Sequence, residues 1–347
     1  DPELPSILDA SLPAVVSNPL AEAERMERRG ELLNSQSAYL TSLKAAVKSA
    51  LELESAGDRQ KASRVWASAE LTVEHIASLL AQTGSSAYFE KAAIEILAQK
   101  GIEPVFSSRL RWALAALTLR KGDAEAARAA AAPLGFWTKW SIIGPFDNER
   151  GRNFDIPLKP EKFPVDPKLK CQALKGEASW RQVETLNPLG LLNLGAFFRP
   201  NDECLAYAAC TVDFPEDAQA ILRLGAGEAV AVWLNGREIF RMPGRRQPGF
   251  DQDAIACSLR KGSNVFLFKV GVGKGGWGLY ARLTDSAGVP LTANSTAACL
   301  SEKSASPPDA QTNLPAAASI SEKPFLGALT VFANALAKDP KDARAAY

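Results

Sequence analysis

Two carboxylates, Asp251 and Asp253, lie two positions apart beside a predicted strand. On a strand that spacing puts both side chains on one face, where clustered oxygens suit Ca²⁺; in a loop they are simply solvated. Four aromatic residues, Trp233, Phe250, Trp277 and Tyr280, have rings that either meet the apolar faces of sugars or pack as core. Arg237, Arg241, Arg245 and Arg246 form a local basic cluster. Arg245 and Arg246 are its candidates for contacting an anionic group, and a solvated hairpin face is the plainer alternative.

Other chemistries lack their residues. His75 is the sole histidine, and every cysteine lies at position 171 or beyond, far from it in sequence. Neither a Ser-His-Asp nor a Cys-His arrangement has a local motif, and zinc spacing is absent. The glycine-rich "GVGKGGWG" (271–278) has Lys274 but no following Ser or Thr, so it reads as a loop between strands and not as a phosphate cradle. "WSIIGPFDNERGRNFD" (140–155) has Asp147 and Glu149, but Gly151 falls one place early for a calcium loop and no terminal Glu follows. It reads instead as a junction: Trp140, Ile142 and Ile143 anchor a strand, Gly144-Pro145 turns the chain, and Asp147-Asn148 bond to nearby amides. The expectation is no catalytic residue, no cofactor and no metal beyond the weak Asp251/Asp253 pair.

Composition narrows the partners. The chain has 347 residues, is 46% hydrophobic and 23% charged, and carries a net charge of +1. That balance gives no global field for nucleic acid or an anionic membrane, and no run approaches the roughly 18–20 apolar residues that span a bilayer. The chain starts at Asp1 and not at Met, which predicts a processed or cut chain. The five cysteines, Cys171, Cys204, Cys210, Cys257 and Cys299, include no CxxC pair. In an oxidising compartment Cys204 and Cys210 are the candidates for one bridge.

The elements that must position these residues divide by composition. Residues 1–20 hold four prolines and no period, and read as an extended leader. From 21 to 135 Ala, Leu, Glu, Lys and Arg dominate. Leu40, Leu43, Val47, Ala50 and Leu51 recur at helical spacing, and Gly57, Gly84, Gly101 and Gly122 each close a helix. Ala113, Leu117, Gly122, Ala126 and Ala127 look like half of a tetratricopeptide unit. From 136 to 300 short strands and turns predict a β-sandwich of jelly-roll type. Val230, Val232 and Leu234 share a face, Asn235-Gly236 is a hairpin turn, and the strand around Val265–Val270 is apolar on both faces, as a central strand is. Residues 301–319 read as a linker, and 320–347 as the start of another helical repeat, which predicts further chain beyond Tyr347.

Taken together, "LGFWTKWSIIGPFDNERGRNFD", "PEKFPVD", "ASWRQV" and "VWLNGREIFR", with the later "DQDAIACSLRKGSNVFLFKVG" and "GWGLYARLTD", resemble large bacterial envelope proteins. There a tetratricopeptide-like region precedes a jelly roll similar to the sugar-binding sandwiches of glycosidases, and a transglutaminase-like domain follows further on. The resemblance covers roughly residues 110–347 and implies no catalytic residue in this chain. It implies an α+β multidomain protein, periplasmic or extracellular. The first functional expectation is a non-catalytic scaffold binding a protein partner. The alternatives are a carbohydrate-binding module of a larger enzyme, with a glycan as partner, and a glycoside or peptide hydrolase.

Overall fold

The computed structural model describes residues 14–244, 246–291 and 297–301, with side chains from Leu20 onward. These fall into two compact units, divided between Ala130 and Ala131. The fold is mixed α+β, with antiparallel sheets. Arg245, the linker at 302–319 and the helical repeat expected at 320–347 lie outside the described residues.

The first unit contains helices α1 (Ala14–Arg28), α2 (Leu32–Ser55), α3 (Arg59–Thr83), α4 (Ala87–Leu97), α5 (Pro104–Arg120) and α6 (Ala124–Ala131). α1 begins inside the segment expected to be an extended leader. The Ala/Glu/Arg-rich run from 21 is strongly helical, and burying Leu20 and Ala23 rewards an earlier start. Local signals set the other ends. Gly57, Gly84, Gly101 and Gly122 all take positive φ, which a Cβ would strain. Asp58 accepts from the Lys61 amide at 3.2 Å, and Glu103 from Phe106 at 2.6 Å. α2 packs on α1, α3 and α4, while α5 packs on α3 and α4. The pairing of α5 with α6 that a tetratricopeptide half-unit requires is not among the principal contacts of this unit.

Paired carboxylates on this surface give a pH dependence. Lys121 holds the Glu90 carboxyl below its ordinary 4.5, and Lys44 does the same for Glu95. A carboxylate lowered in the folded state stabilises above its unfolded pKa, and that contribution disappears as pH falls through the folded value. The urea midpoint is therefore expected to be flat near about pH 6 and to drop on acidification below about 4.5. A midpoint unchanged down to about pH 3 would contradict this.

The second unit is a sandwich of two antiparallel sheets. One has the order β4-β1-β6-β11-β8-β9 and the other β10-β7-β12-β5. The strands are β1 (Lys139–Asp147), β2 (Lys170–Ala173), β3 (Gly176–Ser179), β4 (Arg181–Glu184), β5 (Leu192–Asn193), β6 (Cys204–Phe214), β7 (Ala218–Ala226), β8 (Val230–Leu234), β9 (Arg237–Met242), β10 (Asp253–Leu259), β11 (Gly262–Val272) and β12 (Gly278–Thr284). Strand alternation sends Val230, Val232, Phe266, Phe268 and Val270 into the core between the sheets. β11 lies between β6 and β8, which is why its sequence is apolar on both faces. Asn235 and Gly236 have φ of 52° and 84° and join β8 to β9, as a type I′ turn requires.

Gly144-Pro145 does not turn the chain as expected. It is a cis peptide inside β1, at an irregularity between Ile143 and Phe146, after which pairing with β6 resumes at Phe146 and Leu205. Gly144 has φ of 149°, and a Cβ there would come within 2.9 Å of Ala206 Cβ. The outer face of the six-stranded sheet is also covered. Phe154, Val165 and Cys171 pack over Leu205, Tyr207, Trp233 and Leu267. The buried Lys269 pins this cover by donating to Ile156 O at 2.8 Å and Glu161 Oε1 at 2.9 Å.

Candidate functional site

The structure takes the four candidate aromatic residues out of contact with solvent. Trp277 is 4% exposed, lies in the core between the sheets and donates from Nε1 to Val270 O at 3.1 Å. Phe250 is 3% exposed, with the Arg282 guanidinium 5.3 Å from its centroid. Tyr280 is 7% exposed, 5.7 Å from the Phe136 ring, and burial pushes its hydroxyl pKa up. Trp233 is 8% exposed, under the cover of the six-stranded sheet and beside Arg241. Rings so placed offer no face to a pyranose. On a strand, an aromatic residue for the core and one for a ligand have the same spacing, and only the covering segments separate them.

The charged candidates Asp251, Asp253 and Arg246 are each held in an ion pair. Asp251 forms a bidentate ion pair with the fully buried Arg282, through Nε at 3.0 Å and through Nη2. Asp253 pairs with Arg246, whose Nε also donates to Ala226 O at 3.0 Å. Each carboxylate thus has its own guanidinium, which contradicts a shared Ca²⁺ site at Asp251 and Asp253. No group of three or more His, Cys, Asp or Glu suited to a metal occurs among the described residues.

A different set of residues converges at one end of the sandwich. Asn148, Arg150, Gly151, Phe154 and Asp155 follow β1. They meet Glu203 before β6, Glu228 between β7 and β8, Pro243 and Gly244 after β9, and Gly271 and Gly273 at the end of β11. Together they line a cleft of about 110 Å³, room for three or four waters at about 30 Å³ each. The segments are tied by backbone bonds: Asn148 N to Glu203 O (3.0 Å), Glu203 N to Gly273 O (2.8 Å), Glu228 N to Arg246 O (2.8 Å) and Gly271 N to Ala229 O (2.8 Å).

Three side features define its chemistry. Arg150, Glu203 and Glu228 have φ of 53°, 49° and 51°, a conformation that costs a non-glycine residue energy and gathers at sites where geometry matters. The carboxylates are already engaged: Glu228 accepts from the amides of Gly273 and Gly275, the latter at 2.9 Å, and Glu203 accepts from the Arg150 amide. A Cβ at Gly275 would sit 2.6 Å from Glu228 Oε1, so a side chain there would displace this carboxylate. The donors are not engaged. Asn148 is 4% exposed and its Oδ1 accepts from Asn153 N at 3.2 Å, which leaves Nδ2 without a partner among the described residues. The exposed Arg150 guanidinium likewise has none.

The cleft unites two stretches that sequence reasoning read as a junction and a plain loop, 140–155 and 271–278. The second does join β11 to β12, whereas the first runs through β1 without the turn expected at Gly144-Pro145. Neither reveals the Glu203 and Glu228 turns that complete the site.

No protein-family model matches this chain, and no curated protein matches it. Among solved structures, similar ones include a beta-glucosidase from Kluyveromyces marxianus (TM-score 0.27, 14% identity, 42% of this chain and 16% of that one). A beta-glucuronidase from an uncultured Clostridium sp. is similar at TM-score 0.25 and 15% identity, over 39% of this chain and 21% of that one. A family 35 carbohydrate-binding module from Clostridium thermocellum is similar at TM-score 0.20 and 16% identity, over 24% of this chain and 80% of that one. The match thus spans a small part of each enzyme's length, and no activity or ligand is carried over. No helix among the described residues is long and apolar enough to cross a membrane.

Proposed function

We propose that this chain is a non-catalytic, extracytoplasmic binding protein whose sandwich takes a neutral saccharide end at the cleft beside Asn148. The observation that carries this reading is the nearly buried residue Asn148, whose amide nitrogen has no partner among the described residues and lies among the backbone-tied loops. A ligand there must accept hydrogen bonds from Asn148 Nδ2 and Arg150. It must also tolerate Glu203 and Glu228, which outweigh the single Arg150 charge; the third carboxylate of the lining, Asp155, is ion-paired with Arg241 at 3.0 Å. A hydroxyl meets both demands because it accepts and donates, whereas a carboxylate or phosphate faces the Glu203 and Glu228 carboxylates. The small volume favours one edge of a sugar ring, with the remainder in solvent.

Two features favour binding over hydrolysis. The free polar groups are an amide and a guanidinium, neither of which exchanges a proton near neutral pH. The two Glu carboxylates hold loops in place through backbone amides. The scaffold reading has less behind it. Leu33, Tyr88 and Ile94 are exposed on the helical unit, but single exposed apolar side chains are ordinary on protein surfaces.

Saturation-transfer NMR with a panel of neutral mono- and disaccharides tests the proposal. Asn148→Asp keeps the Oδ1 acceptor for Asn153 and removes the free donor; Arg150→Gly removes the guanidinium and relieves the positive φ. Binding by the native chain is expected to weaken about tenfold in each variant, the loss of one good hydrogen bond. Absence of saccharide binding by the native chain, or unchanged affinity in both variants, would refute it.

A further inference from the structure

β11 sends every second side chain onto the outer face of the six-stranded sheet, and Val265, Leu267 and the buried Lys269 fill that row in turn. The next outward position is Gly271, which faces Leu205 on β6 and donates its N–H to Ala229 O at 2.8 Å. The row of side chains ends there, and the cleft beside Asn148 begins. The same β6 holds Cys204 and Cys210 six residues apart, about 20 Å along a strand, so the bridge expected between them from sequence cannot form.

A glycine inside a strand gives up packing, and it is found where a bulge, another backbone or a ligand comes close. No bulge lies here, since β6 and β11 pair without a break from Cys204 and Val272 to Phe214 and Gly262. Gly271 also lacks the positive φ that excludes other residues. No backbone crowds it: the atoms nearest to where its Cβ would stand are Asn148 Nδ2 at 3.1 Å, Phe154 Cδ2 at 3.3 Å and Ala229 Cβ at 3.6 Å. These walls are held in place. Asn148 Oδ1 accepts from Asn153 N, and Asn148 N donates to Glu203 O. The buried Phe154 ring has the Arg241 guanidinium 5.5 Å and the Lys269 ammonium 5.6 Å from its centroid. What remains over Gly271 is the space of one methyl group, with the Asn148 amide nitrogen as one wall.

Resting on the saccharide reading of the cleft, we propose that Gly271 determines its specificity: the side chain it lacks leaves room for one ligand hydroxyl to reach Asn148 Nδ2. The ligand is then a sugar with a free hydroxyl at the recognised ring position. Removing that hydroxyl leaves the nearly buried amide without an acceptor, the change that hydrogen-bonding sites reject most strongly. Methylating it adds carbon where the Phe154 edge and the Ala229 methyl leave no space. Alanine at 271 places its own methyl there and closes the same space from the protein side.

NMR titration of the full chain with glucose, galactose and mannose, each with its monodeoxy and mono-O-methyl series, tests this beside Gly271→Ala. For the sugar that binds best, at least one ring position is expected to be intolerant, its deoxy and O-methyl forms both binding about tenfold more weakly than the parent. Gly271→Ala should weaken the parent by a similar factor and cost that deoxy sugar nothing further, because the hydroxyl and the space are two halves of one contact. A merely structural role for Gly271 would instead weaken parent and deoxy sugar alike. If Gly271→Ala fails to fold, as judged by circular dichroism and Tm, the deoxy and O-methyl series on the native chain decides. Unchanged affinity in Gly271→Ala, losses that add between variant and deoxy sugar, or O-methyl groups tolerated at every ring position would overturn the proposal. If the native chain binds no sugar, the saccharide reading itself falls, and the role of Gly271 with it.

Discussion

Replacing Trp140 with alanine is expected to destabilise the chain by about 3–5 kcal/mol, the usual range for truncating a fully buried tryptophan. The indole is completely buried in the core between the sheets, with the Trp137 ring 5.8 Å away and Phe268 edge-on at 5.6 Å. Its Nε1 donates to Trp137 O at 3.1 Å, which holds the chain entering β1 against that core. Truncation therefore opens a cavity and also leaves a carbonyl without its donor. Trp140→Phe fills most of the space and should recover more than half of the loss. Urea denaturation measures both. A Trp140→Ala midpoint within about 0.5 kcal/mol of the native value, as for a surface substitution, would show that the ring is not packed this way.

Asp251→Asn should be nearly as damaging. It keeps the side-chain shape and suits the φ of 46° at this position, because Asn tolerates the left-handed region. It removes the charge that balances Arg282, whose side chain is fully buried and donates to Leu134 O at 3.3 Å. Breaking a buried pair by removing one partner costs about 3–5 kcal/mol, whereas replacing both partners with apolar groups is often close to neutral. The decisive comparison is the double variant. Asp251→Leu with Arg282→Met should be more stable than Arg282→Met alone despite carrying one more substitution. Strictly additive losses would mean that the two residues act independently and that the pairing is not what holds the loop before β10.

These two sites show what the sequence reveals and what it hides. Trp140 is legible as a core anchor because it heads an apolar run with Ile142 and Ile143. The β8–β9 hairpin is legible because Asn-Gly encodes its own backbone angles. β7 to β12 follow from alternation and turn residues. β6 is harder to see, since "CLAYAACTVDF" is apolar on both faces and has no period of two. Asp251 is opaque for another reason. Its partner is on β12, 31 positions away, and neither residue type announces a pair. The cleft is the extreme case. Its lining comes from five stretches of chain between 148 and 273, and its constrained backbone sits at Arg, Glu and Glu, residues that signal no turn. The aromatic candidates failed because the segments that bury them cross the sheets from a distance.

The edges of the six-stranded sheet have a consequence for the life of the molecule in solution. β6 and β11 are long, apolar and rich in β-branched and aromatic residues, the composition that nucleates assembly when strands are left open. Here they are interior, and the strands outside them end in charge: Arg181 and Glu184 on β4, and Arg237, Glu238 and Arg241 on β9. A strand arriving from another molecule would have to desolvate those groups before it could add to the ladder. The aggregation hazard of this sheet is therefore confined to the unfolded chain and to the moment of synthesis, before β4 and β9 have closed over it.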